Sequence, residues 1–489
     1  MGKRTTRRVG KHIIHLSAEC YPVAKVGGLG DVVGALPKYL QQAGLRTWVV
    51  LPWYNKPFVQ QHAFDAVYTG TFQQGSRPLE MTVLKEQNDV LGFELYLIKI
   101  PSLLDRDEPY GYADEGEQFM AFQHGFLHWI TETAIVPDVV HCHDHHTGLT
   151  PFLMYYCEQF AALKKVPTVG TVHNGQYQGW MDWNKAILLP PFDTWKWGLL
   201  DWDKTINPLA TLIKCCTAFT TVSEGYLGEL MTQANGLEHL FAMERAKGVG
   251  IVNGIDTAVW DPERDGMLPH HYPLGRVQSG KNKNKASLCD AYGLDPKKPL
   301  VAYIGRFAGE KGADLLPDII ERLLGREDAD LSIMVLGSGD PQVQGAIAHL
   351  AKQYPGRLGA YIGYQEELSH RIYAAADFLL MPSRVEPCGL NQLYAMRYGT
   401  VPIVRSTGGL KDTVHDIRDP EGYGIMFNDA NAADAADAIV RALVLYADKQ
   451  RMQRLRKQLM ALDFSWDKSA GAYINLYETI TVFKSHTGK

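Results

Sequence analysis

Five stretches of this chain combine residue types able to hold an anion or a polyol. Lys25-Val26-Gly27-Gly28-Leu29-Gly30-Asp31 puts a lysine beside glycines whose amides a ligand can approach. Arg306 and Lys311 stand five residues apart, a planar fork and a movable point charge suited to a diphosphate gaining negative charge. In Pro382-Ser383-Arg384-Val385-Glu386-Pro387-Cys388-Gly389-Leu390-Asn391-Gln392, Pro387 biases Glu386 toward an extended backbone. The amides of Cys388, Gly389 and Leu390 then open a helix and can bind an anion or a hydroxyl. Thr407-Gly408-Gly409 repeats that arrangement one strand later. The fifth stretch, His141-Cys142-His143-Asp144-His145-His146, and the separate His173 offer imidazoles and a carboxylate.

Each stretch has a plainer reading. Gly28, Gly30 and Gly34 nearly form a dinucleotide fingerprint, but a nicotinamide site calls for an acid at the end of the second strand, where the chain has Leu51-Pro52-Trp53. A phosphate loop therefore ranks above it and above a bare tight turn. The histidine-rich segment invites a metal, yet His141 and His143 share one face of a strand while Asp144 to His146 lie past its end. A sugar-binding or catalytic role for Asp144 ranks above a metal site. Arg306 and Lys311 compete with a solvated loop, and the stretches around Glu386 and Thr407 with uncharged turns.

These residues fall where strands end. Short β-rich runs near 13–17, 47–51, 93–98, 139–142, 168–172, 220–222 and 250–252 alternate with helical patterns, and a second series follows near 300–304, 332–336, 360–362, 378–381, 401–404 and 424–427. That alternation predicts α/β architecture with parallel sheets covered on both faces. Phe119, Phe122, Phe126 and Ile130 mark a buried helical stripe over 117–133. A turn-rich stretch over 261–285, with Pro262, Gly266, Pro269, Pro273, Gly275 and Gly280, separates the two series. The end of the chain reads as three helices, the last with Trp466, Ala470, Tyr473, Ile474, Leu476 and Tyr477 at near-helical spacing, so that it buries one face.

The 489 residues, 46% hydrophobic and 21% charged, exclude a disordered, collagen-like or coiled-coil protein and suit more than one domain. A net charge of −5 argues against nucleic acid as a partner, so an anionic ligand needs local cations. Seven cysteines without a CxxC pair suggest neither a disulfide framework nor a zinc ribbon, and a reducing compartment is expected. No apolar run has membrane-spanning length, and the basic start, Lys3 to Lys11, reads as a solvated arm.

Taken in order, KVGGLGDVVGALP, HCHDHHTG, TVHNGQYQGW, VNGID, IGRFAGEKG, IGYQEELSHRIYAAADFLLMPSRVEPCGLNQLYAMRYGT and STGGLKDTV resemble the bacterial glycogen synthase and plant starch synthase family over nearly the whole chain. The resemblance implies two Rossmann-like doubly wound parallel-sheet domains facing a central cleft, the GT-B architecture. It divides the chain into 1–255 on the acceptor side, 256–463 on the nucleotide-sugar side, and a helix at 464–489 returning to the first domain. It also implies a retaining glucosyltransferase that carries glucose from ADP-glucose to the non-reducing end of an α-1,4-glucan. No cofactor, metal, nucleic acid or membrane is implied, and a cytoplasmic setting is. A UDP-glucose enzyme of the same fold, or a glucan-binding regulator without turnover, are the alternatives.

By the same resemblance Arg306 and Lys311 neutralise the leaving diphosphate, with Lys25, Gly27, Gly28, Thr407, Gly408 and Gly409 around it. Glu386, Cys388, Gly389 and Leu390 hold glucose hydroxyls, Asp144 and His173 line the sugar, Tyr364 lies beside the base and Asn253 approaches the donor. Three positions depart from common patterns. Tyr394 replaces a second glutamate found in many relatives of the architecture, as is usual in this branch. Asn391 stands for a usual threonine and His145 for a usual aromatic.

Overall fold

A computed structural model describes residues 10–326 and 329–486, and the basic residues Lys3 to Arg8 lie outside them. By internal packing the chain forms two compact units: one takes the chain to Val222, then Leu227–Ile251 and the segment from Trp466, the other Ser223–Tyr226 and Val252–Ser465.

The first unit holds strands β1 (His12–Leu16), β2 (Arg46–Pro52), β3 (Phe64–Gln74), β4 (Arg77–Glu86), β5 (Glu94–Lys99), β6 (Val139–His143) and β7 (Thr168–Val172). β8 (Asp201–Trp202) and β9 (Thr205–Ile206) make a separate small ribbon, and β10 (Ala218–Thr221) and β11 (Gly248–Gly250) complete the main sheet. Its order is β11-β10-β7-β6-β1-β2-β5-β4-β3. All pairs from β11 to β5 are parallel. β6 and β7 are buried along their whole length, as strands covered on both faces must be.

The sequence pattern misses one part of this sheet. β3 and β4 form an antiparallel hairpin on its edge, so the sheet is mixed. One face of β4 carries the buried Leu79, Met81 and Val83, and Gly75 takes φ of 60° in the connecting turn. Period-two alternation around a left-handed glycine was present in the sequence, but polar residues at alternate positions hid it.

The second unit contains β12 (Leu300–Ile304), β13 (Ser332–Gly337), β14 (Leu358–Ile362), β15 (Phe378–Met381), β16 (Val401–Arg405) and β17 (Ile425–Phe427), all parallel, in the order β14-β13-β12-β15-β16-β17. In both sheets the winding reverses beside the first strand, between β1 and β6 and between β12 and β15. Open α/β sheets bind ligands outside the carboxyl ends of strands at such reversals. The loops after these four strands carry Lys25, Asp144, Arg306, Lys311 and Glu386, while His173 follows β7, Asn253 β11, Tyr364 β14 and Thr407 β16.

The last helix, Trp466–His486, packs in the first unit. Trp466, Ala470, Tyr473 and Tyr477 share one stripe and join Ile13, Val32, Leu36 and Val139 in a buried cluster. All seven cysteines are buried free thiols. Among the described residues no helix is long and apolar enough to cross a membrane.

Candidate active site

In the first unit β1 delivers Glu19 to the carboxyl edge of the sheet. Its Oε2 accepts hydrogen bonds from the amides of Val26 (2.6 Å) and Gly27 (2.9 Å), while Tyr110 donates to Oε1 at 2.7 Å. The glycine-rich loop is therefore tied down by the protein's own carboxylate, and these two amides are occupied. What remains for a ligand is the amide end of the helix Gly28–Gln42 and Lys25, whose Nζ meets the Asp31 carboxylate at 2.6 Å. A Cβ added at Gly27 or Gly28 would meet nothing within 4 Å, so open space lies over both.

β6 is followed at once by Asp144, a non-glycine residue at φ of 56°. Such a backbone conformation is costly and persists where its surroundings impose it. The Asp144 amide donates to the Thr171 carbonyl at 2.9 Å, and its Oδ1 accepts from the His173 amide at 2.7 Å. The structure thus joins two residues from neighbouring strands that spacing alone could not connect. Burial raises the Asp144 carboxyl to about 7, against the amides that favour its charge. Burial alone lowers the His173 imidazole to about 3, so it is neutral near pH 7.

Among the described residues two side-chain groups could hold an ion: His15 with His141 and His143, and Glu115 with His145 and His146. In the first, His141 is already bonded to Tyr477 Oη at 2.7 Å and Thr171 Oγ1 at 2.6 Å. His143 bridges His15 at 3.1 Å and His173 at 3.0 Å. That group is mostly committed to hydrogen bonds within the core, and the ring nitrogen it leaves without a partner is His15 Nε2. In the second, His145 Nδ1 and His146 Nδ1 are buried without partners.

In the second unit the loops after β12 and β15 are laced together. Lys311 Nζ lies 2.7 and 2.9 Å from the two oxygens of Glu386, and Ser383 Oγ donates to Oε2 at 2.9 Å. Arg384 forks onto Asp314 at 2.6 and 2.8 Å, and the amides of Arg384 and Val385 both reach the Glu310 carbonyl. Glu386 is buried, and its own carbonyl accepts from the Gly409 amide at 3.0 Å. At Gly409 a Cβ would lie 2.2 Å from the Cys388 carbonyl, so no larger residue fits between these two loops. Gly389 has φ of 76°, which turns the chain into the helix Asn391–Arg397.

Lys311, Glu386, Cys388 and Thr407 to Gly409 are thus brought together. Burial pushes the Cys388 thiol up to about 12, while the Asn253 amide that faces it favours the thiolate. Asn253 Oδ1 is buried with no partner. Arg306 turns instead to Glu310, Nη2 to Oε1 at 2.6 Å, with 72% of its side chain exposed. Tyr364 is 82% exposed ahead of the helix Glu366–Ala375. Asn391 donates to the Ile304 carbonyl at 2.7 Å, a use for its amide that ties the second strand end to the first. Tyr394 stacks on Trp260 with ring centroids 3.7 Å apart, so an aromatic sandwich fills the place of the second glutamate.

Glu19, Tyr110, Ser383 and the Arg384–Asp314 pair were not singled out from sequence. Glu19 had a signal: a lone carboxylate leaving an apolar strand six residues before the lysine of the glycine loop. Ser383 lies three residues from its partner Glu386 in the same loop, whereas for Asp314 no sequence signal points to Arg384, which comes from another loop.

Two Rossmann-like units with polar loops at both sheet reversals define a glycosyltransferase of the GT-B class. Residues 12–243 match the family model described as starch synthase catalytic domain, and residues 298–444 that of glycosyl transferases group 1. The chain belongs to the glycogen synthase and starch synthase family, as its motifs suggested, and is a retaining glucosyltransferase. It is 48% identical to a glycogen synthase of Flavobacterium johnsoniae over 96% of this chain and 99% of that one. A glycogen synthase of Streptococcus sanguinis is 37% identical at the same coverage. The starch synthase IV catalytic domain of Arabidopsis thaliana, solved bound to ADP and acarbose, superposes with a TM-score of 0.84 at 31% identity, covering 97% of this chain and all of that one.

Proposed function

We propose that this enzyme transfers glucose from ADP-glucose to the non-reducing end of an α-1,4-glucan in the cytoplasm, without a metal or cofactor. The observation that carries this reading is the cluster at the β12/β15 reversal, where Lys311, Glu386, Ser383 and Gly409 are held in one hydrogen-bonded set. The donor is assigned to the unit over 256–463 and the acceptor to that over 1–255.

Glycosyl transfer from a nucleotide sugar is limited by departure of the diphosphate. Cations and oriented amides already in place stabilise the charge that develops as the bond to the anomeric carbon breaks. Arg306 and Lys311 are assigned to that charge, together with the loop at Thr407 to Gly409 and, from the first unit, Lys25, Gly27 and Gly28. The Gly409 and Gly27 amides already serve Glu386 and Glu19, so these glycines contribute close approach. Glu386 accepts from glucose hydroxyls and the amides of Cys388, Gly389 and Leu390 donate to them. Asp144 and His173 serve the sugar from the first unit. Tyr364 is assigned to the base and Asn253 to the donor. Retention follows if the acceptor hydroxyl attacks from the side the diphosphate leaves, passing its proton to the departing oxygen.

Support comes from the ADP and acarbose, a nucleotide and an oligosaccharide mimic, bound by the Arabidopsis relative. The buried free thiols suit a reducing compartment. The test is transfer of labelled glucose to glycogen from ADP-glucose and from UDP-glucose, with the new linkage identified by digestion. Faster use of ADP-glucose and an α-1,4 product are expected. Preference for UDP-glucose would reassign the donor, and glycogen binding without transfer would leave a regulator.

A further inference from the structure

The buried imidazoles behind the first unit's rim form a chain with a direction. His15 Nδ1 lies 3.1 Å from His143 Nε2, and His143 Nδ1 lies 3.0 Å from His173 Nε2. His15 and His143 are completely buried, whereas His173 sits at the strand end and retains slight exposure. Burial lowers all three imidazoles, so each carries a single ring proton. A neutral imidazole is a donor at one nitrogen and an acceptor at the other. Three in series therefore have only two consistent arrangements.

If His143 carries its proton on Nδ1, it donates to His173 Nε2, and the His173 proton must sit on Nδ1. His15 then donates from Nδ1 into His143 Nε2 and keeps a bare Nε2. In the reverse arrangement His173 donates inward, its Nδ1 is a bare acceptor, and His15 carries a proton on Nε2. His15 Nε2 decides between them, because it is buried with no partner. An orphaned buried donor is rarer than an under-satisfied acceptor, so the bare nitrogen belongs there. His141 does not compete for the chain, since its nitrogens are committed to Tyr477 and Thr171.

We infer that His15 and His143 are positioning residues that lock His173 as the Nδ1–H tautomer, making it a hydrogen-bond donor to a sugar oxygen and not a base. This rests on the reading that His173 meets the sugar. It extends that reading by fixing which way the hydrogen bond runs and by giving a function to two buried histidines that touch no ligand.

Nitrogen-15 spectroscopy of the full chain labelled at histidine tests it, with His173→Gln identifying the signal. The expected spectrum without donor shows His173 protonated at Nδ1 and bare at Nε2; protonation at Nε2 would overturn the inference. His143→Phe keeps a ring in the space but removes the donor, so His173 should become a tautomer mixture. Its kcat should fall roughly tenfold, the loss of one hydrogen bond, with donor KM little changed. His143→Asn, whose carboxamide nitrogen falls near the place of Nδ1 and can donate to His173 Nε2, should restore both the tautomer and most of kcat. Rescue of kcat without the tautomer would assign His143 to packing and refute the lock. The wild-type spectrum decides the tautomer even if His143→Phe does not fold. His173→Ala with undiminished turnover would instead refute the sugar contact, and a Nδ1–H spectrum would still stand.

Discussion

Lys311 grips Glu386 with its ammonium 2.7 Å from one carboxylate oxygen and 2.9 Å from the other, across the reversal of the second sheet. The carboxylate is buried and the lysine about a quarter exposed, so the pair neutralises a charge that the interior could not otherwise hold. A lysine this placed stabilises a carboxylate before the donor arrives and can share its charge with a phosphate afterwards. Lys311→Ala should thus lower turnover by about 10² to 10³ and also destabilise the second unit, because Glu386 is left buried and unpaired. Glu386→Gln keeps shape and should cost less stability than Lys311→Ala. A double-mutant cycle on melting temperature and kcat checks this: additive losses would mean that the pair does not act as a unit.

Lys25 and Arg306 differ from Lys311 in being paired at the surface. Lys25 meets Asp31 with both side chains more than a third exposed, and Arg306 meets Glu310 with most of the arginine side chain exposed. Surface pairs of this kind contribute little to folding. Alanine at either site should leave the melting temperature nearly unchanged while lowering kcat/KM for the nucleotide sugar, each by about 2.7 to 4 kcal/mol if it meets charge developing in the transition state. Wild-type kinetics in both variants, at limiting and saturating donor, would remove the diphosphate assignment.

How much of this was legible in the sequence depended on distance along the chain. Parallel strands in both units showed as short apolar runs because they are buried on both faces, whereas β3 and β4, polar on alternate residues, were missed. Likewise Glu386 stood out through its local setting before Pro387, but its partners Lys311 and Ser383 differ in kind. Ser383 is three residues away and Lys311 seventy-five, and nothing in spacing reports a contact of the second sort. The glycine loop shows the limit most clearly. Its composition promised open amides, and two of them are closed by Glu19, a residue chosen by where β1 ends and not by motif.

Chelation separates the two uses open to the histidine-rich segment. Treatment with EDTA followed by desalting should leave transfer unchanged, because side-chain cations serve the diphosphate and the His15–His141–His143 group is bonded internally. Loss of activity restored by a divalent ion, and abolished in Glu115→Gln, would locate a required metal at Glu115, His145 and His146, whose Nδ1 atoms are buried without partners.

Asp144 should make the first unit's stability depend on pH in the opposite sense to a salt-bridged carboxylate. Its folded value is raised from 3.8 to about 7 by burial, so between those limits the native state binds the extra proton. Stability is then fully present below the unfolded value and is lost as pH rises through the folded one, levelling off above it. Three pH units correspond to roughly 4 kcal/mol, part of which the His173 amide already offsets within that value. Asp144→Asn retains the oxygen that accepts from the His173 amide and removes the ionisation. Its melting temperature should exceed that of the wild type by a margin that widens from pH 4 to pH 7 and stays constant above. His143 and His173, neutral in the fold but able to protonate when unfolded, add a pH dependence of their own, which is common to both proteins and cancels in the margin. Thermal scans of both proteins at pH 5 and pH 8 decide the matter, and equal margins at the two would show that Asp144 is ionised throughout.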